Sequence, residues 1–159
     1  MSLPESLENY LENIFILSRH QAIVKSVDLA RAMGYSKPSV SRAVHILADE
    51  GYITIEDHGN LALTESGHAT ATKVYERHLF LTEYFKALGV DPQTAEQDAC
   101  NIEHSISAET FNLMKDHISY CIRHIPNEVN PLSLTSEDLE GIEDKLNAPP
   151  ATDDPGATY

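Results

Sequence analysis

Apolar residues recur at helical spacing through most of this chain. Leu7, Tyr10, Leu11, Ile14, Phe15 and Leu17 follow an i, i+3, i+4, i+7 pattern behind Pro4, which predicts an opening helix ending near Ser18 to His20. Ser26 can cap a short helix through Val27, Leu29, Ala30 and Met33, with Gly34 closing it in the left-handed conformation. Ser36 can cap the next, which tolerates Pro38 in its first turn and lines up Val40, Val44 and Leu47 on one face. Two short helices meeting at Gly34-Tyr35 make a helix-turn-helix. The period then shortens: residues 52–56 and 61–64 read as strands about a turn at Asp57-His58-Gly59-Asn60, so the first third predicts a winged helix.

The remainder reads as helical. Thr64-Glu65-Ser66-Gly67 leads into a long helix over about 68–88, carrying Val74, Leu79, Leu81, Tyr84, Phe85 and Leu88 and ended by Gly89. A helix over 92–106 follows. Another opens at Ser107-x-x-Thr110 and carries Phe111, Met114, Ile118, Ile122 and Ile125 up to Pro126. Leu139, Ile142 and Leu146 suggest one more amphipathic helix behind a Thr135-x-x-Asp138 cap, and the composition from Ala148-Pro149-Pro150 onward predicts a disordered tail. The expected fold is mainly α. A winged helix-turn-helix domain spans 1–66, an all-helical domain 67–126, and an acidic, partly disordered extension 127–159.

Composition narrows the class. With 159 residues, 42% of them hydrophobic, the chain is long enough for one or two small domains. No apolar run approaches the roughly 18 residues of a membrane span, and Met1-Ser2-Leu3-Pro4-Glu5 lacks a signal-peptide pattern, so a cytoplasmic location is expected, with Cys100 and Cys121 reduced. The net charge of −14 looks hostile to nucleic acid, but half of it lies in residues 128–159, where eight acidic residues face Lys145 alone. Residues 19–51 carry five cations against three acids, and no acid stands between Ser36 and Ala48. A solvated surface helix usually mixes both signs. Hydroxyls and cations without acids are what a helix approaching phosphates and base edges needs. The expected DNA contacts are Ser36, Lys37, Pro38, Ser39, Ser41, Arg42 and His45, with Lys25 and the hairpin-turn residue His58 beside them.

The candidate chemistry centres on Cys100-x-x-Glu103-His104. At i, i+3 and i+4 on a helix, a thiolate, a carboxylate and an imidazole share one face, a set suited to a borderline transition metal rather than to calcium or magnesium. The bland alternative is an amphipathic helix with a buried cysteine. His117, Cys121 and His124, at i, i+4 and i+7, form a second such face: either a zinc-binding trio or partly buried packing residues.

Glu12, the winged helix, Arg77-His78, Leu88-Gly89-Val90-Asp91 and Cys100-x-x-Glu103-His104, taken in order over about residues 4–125, resemble the diphtheria-toxin-repressor family of metal-dependent transcriptional regulators. In length the chain resembles the smaller manganese-type members, which lack an SH3-like third domain. The resemblance implies a primary site of Cys100, Glu103, His104 and a first-helix donor at Asn9. It implies a second site from Glu12 and His78, sharing Glu103, and Glu96 is a further candidate four residues before Cys100. Departures are visible: the manganese type has aspartate at the position of Asn9 and glutamate at that of Cys100, and the iron type has methionine at the former. The iron type's glutamate four residues after its histidine is Thr82 here, with Glu83 one residue off.

Donors split between a DNA-binding domain and a helical domain suggest a switch. A cation bonded to both fixes the spacing of two recognition helices in a homodimer, which lowers the ordering entropy paid on a palindromic operator. Fe(II) or Mn(II) is the expected ion, with Zn(II) or Co(II) able to substitute in vitro. The expected partners are double-stranded DNA and a second copy of the chain, with no membrane and no small organic substrate. The alternative is a winged-helix regulator without a metal switch, sensing redox state through Cys100. A hydrolase is disfavoured, since neither a His-Glu-x-x-His helix nor a nucleophile motif occurs.

Overall fold

The computed structural model describes residues 3–124 and 136–148, so residues 125–135 and the expected tail beyond 148 lie outside it. The chain divides into two compact units, one within residues 3–73 and the other from Val74 to Asn147. The division falls inside one continuous helix, seven residues beyond the boundary expected at 66, because nothing after Gly67 interrupts helical backbone before Gly89.

The first unit is a winged helix built from α1 (Glu5–Ser18), α2 (Ser26–Met33), α3 (Lys37–Asp49), β1 (Ile53–Ile55), β2 (Leu61–Leu63) and the start of α4 (Glu65–Ala87). Tyr10, Leu11, Ile14 and Phe15 of α1 are buried, as are Leu29 and Ala30 of α2 and Val40, Ala43, Val44 and Leu47 of α3, which follows the helical spacing in the sequence. Val27 is exposed instead. Burial, and secondarily Tyr35 beside it, raises the Tyr10 phenol above its usual pKa. Helix α2 starts differently from expectation. Ser26 is its first helical residue rather than its cap; Lys25 precedes it, and Asp28 reaches back to accept from the Lys25 backbone N–H at 3.0 Å. A lysine side chain cannot accept a helical N–H, so this end relies on the carboxylate. Gly34 does close α2, at φ 67°.

The wing is short. β1 and β2 pair antiparallel with Ile53 opposite Leu63, and the segment before α2 joins them, as the Leu61 N–H donates to the Val24 carbonyl at 2.7 Å. Thr64 ties the wing to α4: its N–H donates to Tyr52 O at 3.0 Å, its hydroxyl reaches Gly51 O at 2.7 Å, and the same oxygen accepts from the Gly67 N–H. Here α4 presses directly on Tyr52, the residue before β1.

The second unit comprises the rest of α4, α5 (Pro92–Ile102), α6 (Ala108–His124) and α7 (Ser136–Asn147). Its core joins Phe80 and Leu81 of α4, Ala99 of α5, Phe111 and Ile118 of α6 and Ile142 of α7. Phe80 and Phe111 meet edge to face at 5.2 Å. The helix of the acidic extension thus belongs to this core, whereas Leu88, expected inside, is exposed. Asp91 caps α5 by accepting from the Gln93 and Thr94 N–H groups. The helix stops at Ile102, four residues short of expectation: a turn over 103–105 follows, and the Ser107 hydroxyl caps α6 by accepting from the Thr110 N–H at 3.1 Å.

Gly67 shows how tightly the wing anchor is built. A Cβ there would stand 1.8 Å from the Tyr52 carbonyl oxygen, which is backbone and cannot rotate away. Gly67→Ala should therefore destabilise the winged-helix unit by about 2–3 kcal/mol or more. A thermal melt of the variant matching wild type would show that the contact relaxes freely.

Candidate metal centre and nucleic-acid interface

Glu103 is the C-cap of α5, and its side chain has no exposed surface. An imidazole faces each carboxylate oxygen: His78 Nδ1 lies 2.8 Å from Oε2, and His104 Nε2 lies 3.4 Å from Oε1. The second separation exceeds a good N–H···O bond, and Oε1 accepts no hydrogen bond among the described residues. Arg77, beside His78 on α4, does not pair with the carboxylate. Its Nη1 donates to the Glu103 carbonyl at 3.0 Å, satisfying one of the acceptors that the end of α5 exposes, while its guanidinium lies over the Phe111 ring. The Thr82 hydroxyl, one turn after His78, is also buried without a hydrogen-bond partner among the described residues.

This arrangement fits a divalent transition cation. A buried carboxylate costs several kcal/mol unless positive charge offsets it, and here its two oxygens face imidazole nitrogens, with no lysine or arginine paired to them among the described residues. Two imidazoles and one carboxylate form a nitrogen and oxygen set that iron, manganese and zinc all accept. His78, Glu103 and His104 come together in this unit. Cys100, one turn before Glu103, is exposed on α5, and Glu96 is exposed as well. Glu103 keeps right-handed helical backbone at the cap, with φ −54° and ψ −34°, and the turn over 103–105 carries His104.

On α1 of the winged-helix unit, Glu12 is buried and Asn9 half-buried. The Asn9 side-chain oxygen accepts from Asn13 Nδ2 at 2.8 Å, so it is already engaged within its own helix. Asn13, one turn along, was not singled out in the sequence. An asparagine four residues after another on a helix is the signal that could have shown it.

The candidate nucleic-acid interface lies on α3. Ser36, Lys37, Pro38, Ser39, Ser41, Arg42 and His45 are all exposed, opposite the buried Val40, Val44 and Leu47. Ser36 caps the helix, its hydroxyl accepting from the Ser39 N–H and lying 2.8 Å from the Ser39 hydroxyl, and His45 Nδ1 donates to the Ser41 carbonyl at 2.6 Å. Lys25 is exposed at the start of α2. His58, exposed at the tip of the wing, holds φ 61°, a left-handed conformation uncommon for a residue with a side chain.

Sequence and structure comparisons place these features in a family. The iron dependent repressor N-terminal DNA binding domain matches residues 2–61, and the iron dependent repressor metal binding and dimerisation domain matches residues 64–126. An HTH-type transcriptional regulator of Methanocaldococcus jannaschii is 30% identical over 118 residues, covering 71% of this chain and 92% of its own. The transcriptional regulator MntR of Escherichia coli O157:H7 is 32% identical over 111 residues, covering 70% and 72%. The solved structure of the manganese regulator SloR is similar in fold at 24% identity, with a TM-score of 0.63 over 76% of this chain, which spans about half of that protein (55%). The chain belongs to the iron-dependent repressor family, the metal-dependent DNA-binding transcriptional regulators of the diphtheria-toxin-repressor type.

Proposed function

We propose that this chain represses transcription as a homodimer on a palindromic operator when Fe(II) or Mn(II) occupies a site centred on Glu103. The observation that carries the reading is the Glu103 carboxylate, buried without exposed surface between His78 and His104. In this reading His104 and Glu103 hold the primary ion, with Cys100 as the thiolate donor that the sequence pattern suggests and Asn9 as a neutral oxygen donor from α1. Glu12 and His78 serve a second ion that shares Glu103, with Glu96 as a further donor. When bound, the cation would supply positive charge directly to a carboxylate that no lysine or arginine pairs with among the described residues, and no chemical step follows.

The residues of the chain do the rest. Lys37 and Arg42 meet phosphate or guanine edges, and the α3 hydroxyls and His45 add hydrogen bonds, while Lys25 and His58 reach the backbone on either side. The likeness to the manganese regulator SloR supports Mn(II), whereas a cysteine donor favours Fe(II). The family's dimerisation domain over residues 64–126 supports two copies per operator, and exposed Leu88, Leu113 and Tyr120 in the helical unit offer apolar surface for such a contact. Among the described residues no helix is long and apolar enough to cross a membrane.

Mobility shift on genomic fragments tests the switch. Chelated protein should bind weakly, anaerobic Fe(II) or Mn(II) should restore binding, and Glu103→Gln should remain unresponsive to either metal. Equal affinity with and without metal would reject the reading. On the DNA side, Lys37→Ala and Arg42→Ala should each lower the salt dependence of binding by about one phosphate contact, or relax base preference if the residue reads guanine. Unchanged binding by the double variant would move the DNA surface off α3.

A further inference from the structure

The turn between α2 and α3 carries one large side chain, Tyr35, half of whose surface is exposed (50%). Its backbone is held from one side. The Tyr35 N–H donates to the Ala30 carbonyl at 3.2 Å, directly after Gly34 has turned the chain at φ 67°. Its ring is held from the other, tilted at 60° against the buried Tyr10 of α1 with the centroids 5.9 Å apart. The phenol hydroxyl makes no hydrogen bond among the described residues. Tyr35 is followed at once by Ser36, the cap of α3, and by the exposed Lys37, Pro38 and Ser39 of its first turn. When the first turn of a recognition helix meets base edges, the residue just ahead of its cap stands at the rim of the groove, where the phosphates run.

We propose that Tyr35 is a further DNA-contacting residue, its phenol hydroxyl donating to a phosphodiester oxygen at the edge of the groove that α3 enters. This rests on the reading of α3 as the helix facing DNA. A phenol suits the position because it donates to an anion without carrying charge itself. The side chain has only two rotatable angles and Tyr10 already braces its ring, so little freedom is lost on contact. Such a donor matters on a helix whose cations are Lys37 and Arg42 alone. The contact fixes the register of α3 on the duplex and carries no base preference.

Tyr35→Phe keeps the ring against Tyr10 and removes the hydroxyl alone. The full chain, loaded with metal, is titrated across a salt series on the genomic fragment that wild type binds most tightly and on a random duplex of the same length. Affinity should fall by about ten-fold on both. The salt slope should stay at its wild-type value, because a neutral hydroxyl displaces no counterion. Tyr35→Arg should recover affinity and steepen the slope by about one phosphate contact. Thermal melts without DNA accompany both variants, and if Tyr35→Phe melts early the slope of Tyr35→Arg decides. Unchanged affinity in Tyr35→Phe, or a loss confined to the tighter fragment, overturns the phosphate contact. The double variant Lys37→Ala, Arg42→Ala in the same series separates this inference from the reading beneath it. Weakened binding there with Tyr35→Phe at the wild-type level overturns the Tyr35 contact alone, whereas wild-type binding by every variant overturns the α3 surface as well.

Discussion

The Glu103 carboxylate has no contact with solvent, and a charge in that position is stable only where other groups stand in for water. Two imidazoles, from opposite directions along the chain, meet its two oxygens, while Arg77 spends its donor on the backbone of the same residue. This division of labour matters. Had the guanidinium paired with the carboxylate, charge would be balanced by a permanent cation and little affinity would remain for an exchangeable one. By holding the carbonyl instead, Arg77 fixes where α5 ends and orients the acid toward nitrogen ligands that can release a proton or take a metal.

The packing around this centre is arranged to hold it. Phe111 lies against both Arg77 and Phe80, and Ala99 of α5 and Ile142 of α7 close the same core. The small side chain at Ala99, fully buried one turn before Glu103, lets α5 approach closely enough to sink the carboxylate. In the other unit a comparable constraint acts through Thr64 and Gly67, where backbone rather than side chain sets the distance between wing and helix.

Much of this was legible in the residues. The winged helix follows from Gly34, Ser36-Pro38 and the change of apolar period after residue 51, and α3's exposed face is the one its composition marked. Local rules failed where tertiary contacts decide. Nothing in the spacing of Cys100, Glu103 and His104 reveals that α5 ends at Ile102, where the Glu103 carbonyl accepts from an arginine 26 residues earlier in the chain. Ser26 looked like a cap, yet Asp28 provides the stabilising bond, since both sit within one turn of the helix start. Phe80 and Leu79 are adjacent apolar residues on α4; only the position of Phe111 makes Phe80 the core member. The family resemblance rested on order and spacing, which survive such local differences, and two domain matches bear it out.

The recognition helix carries two cations in a chain whose net charge is −14. Non-specific DNA affinity grows with the number of phosphates neutralised, so two cations on one helix contribute little of it, and preference for a site falls to the hydroxyls and the imidazole beside them.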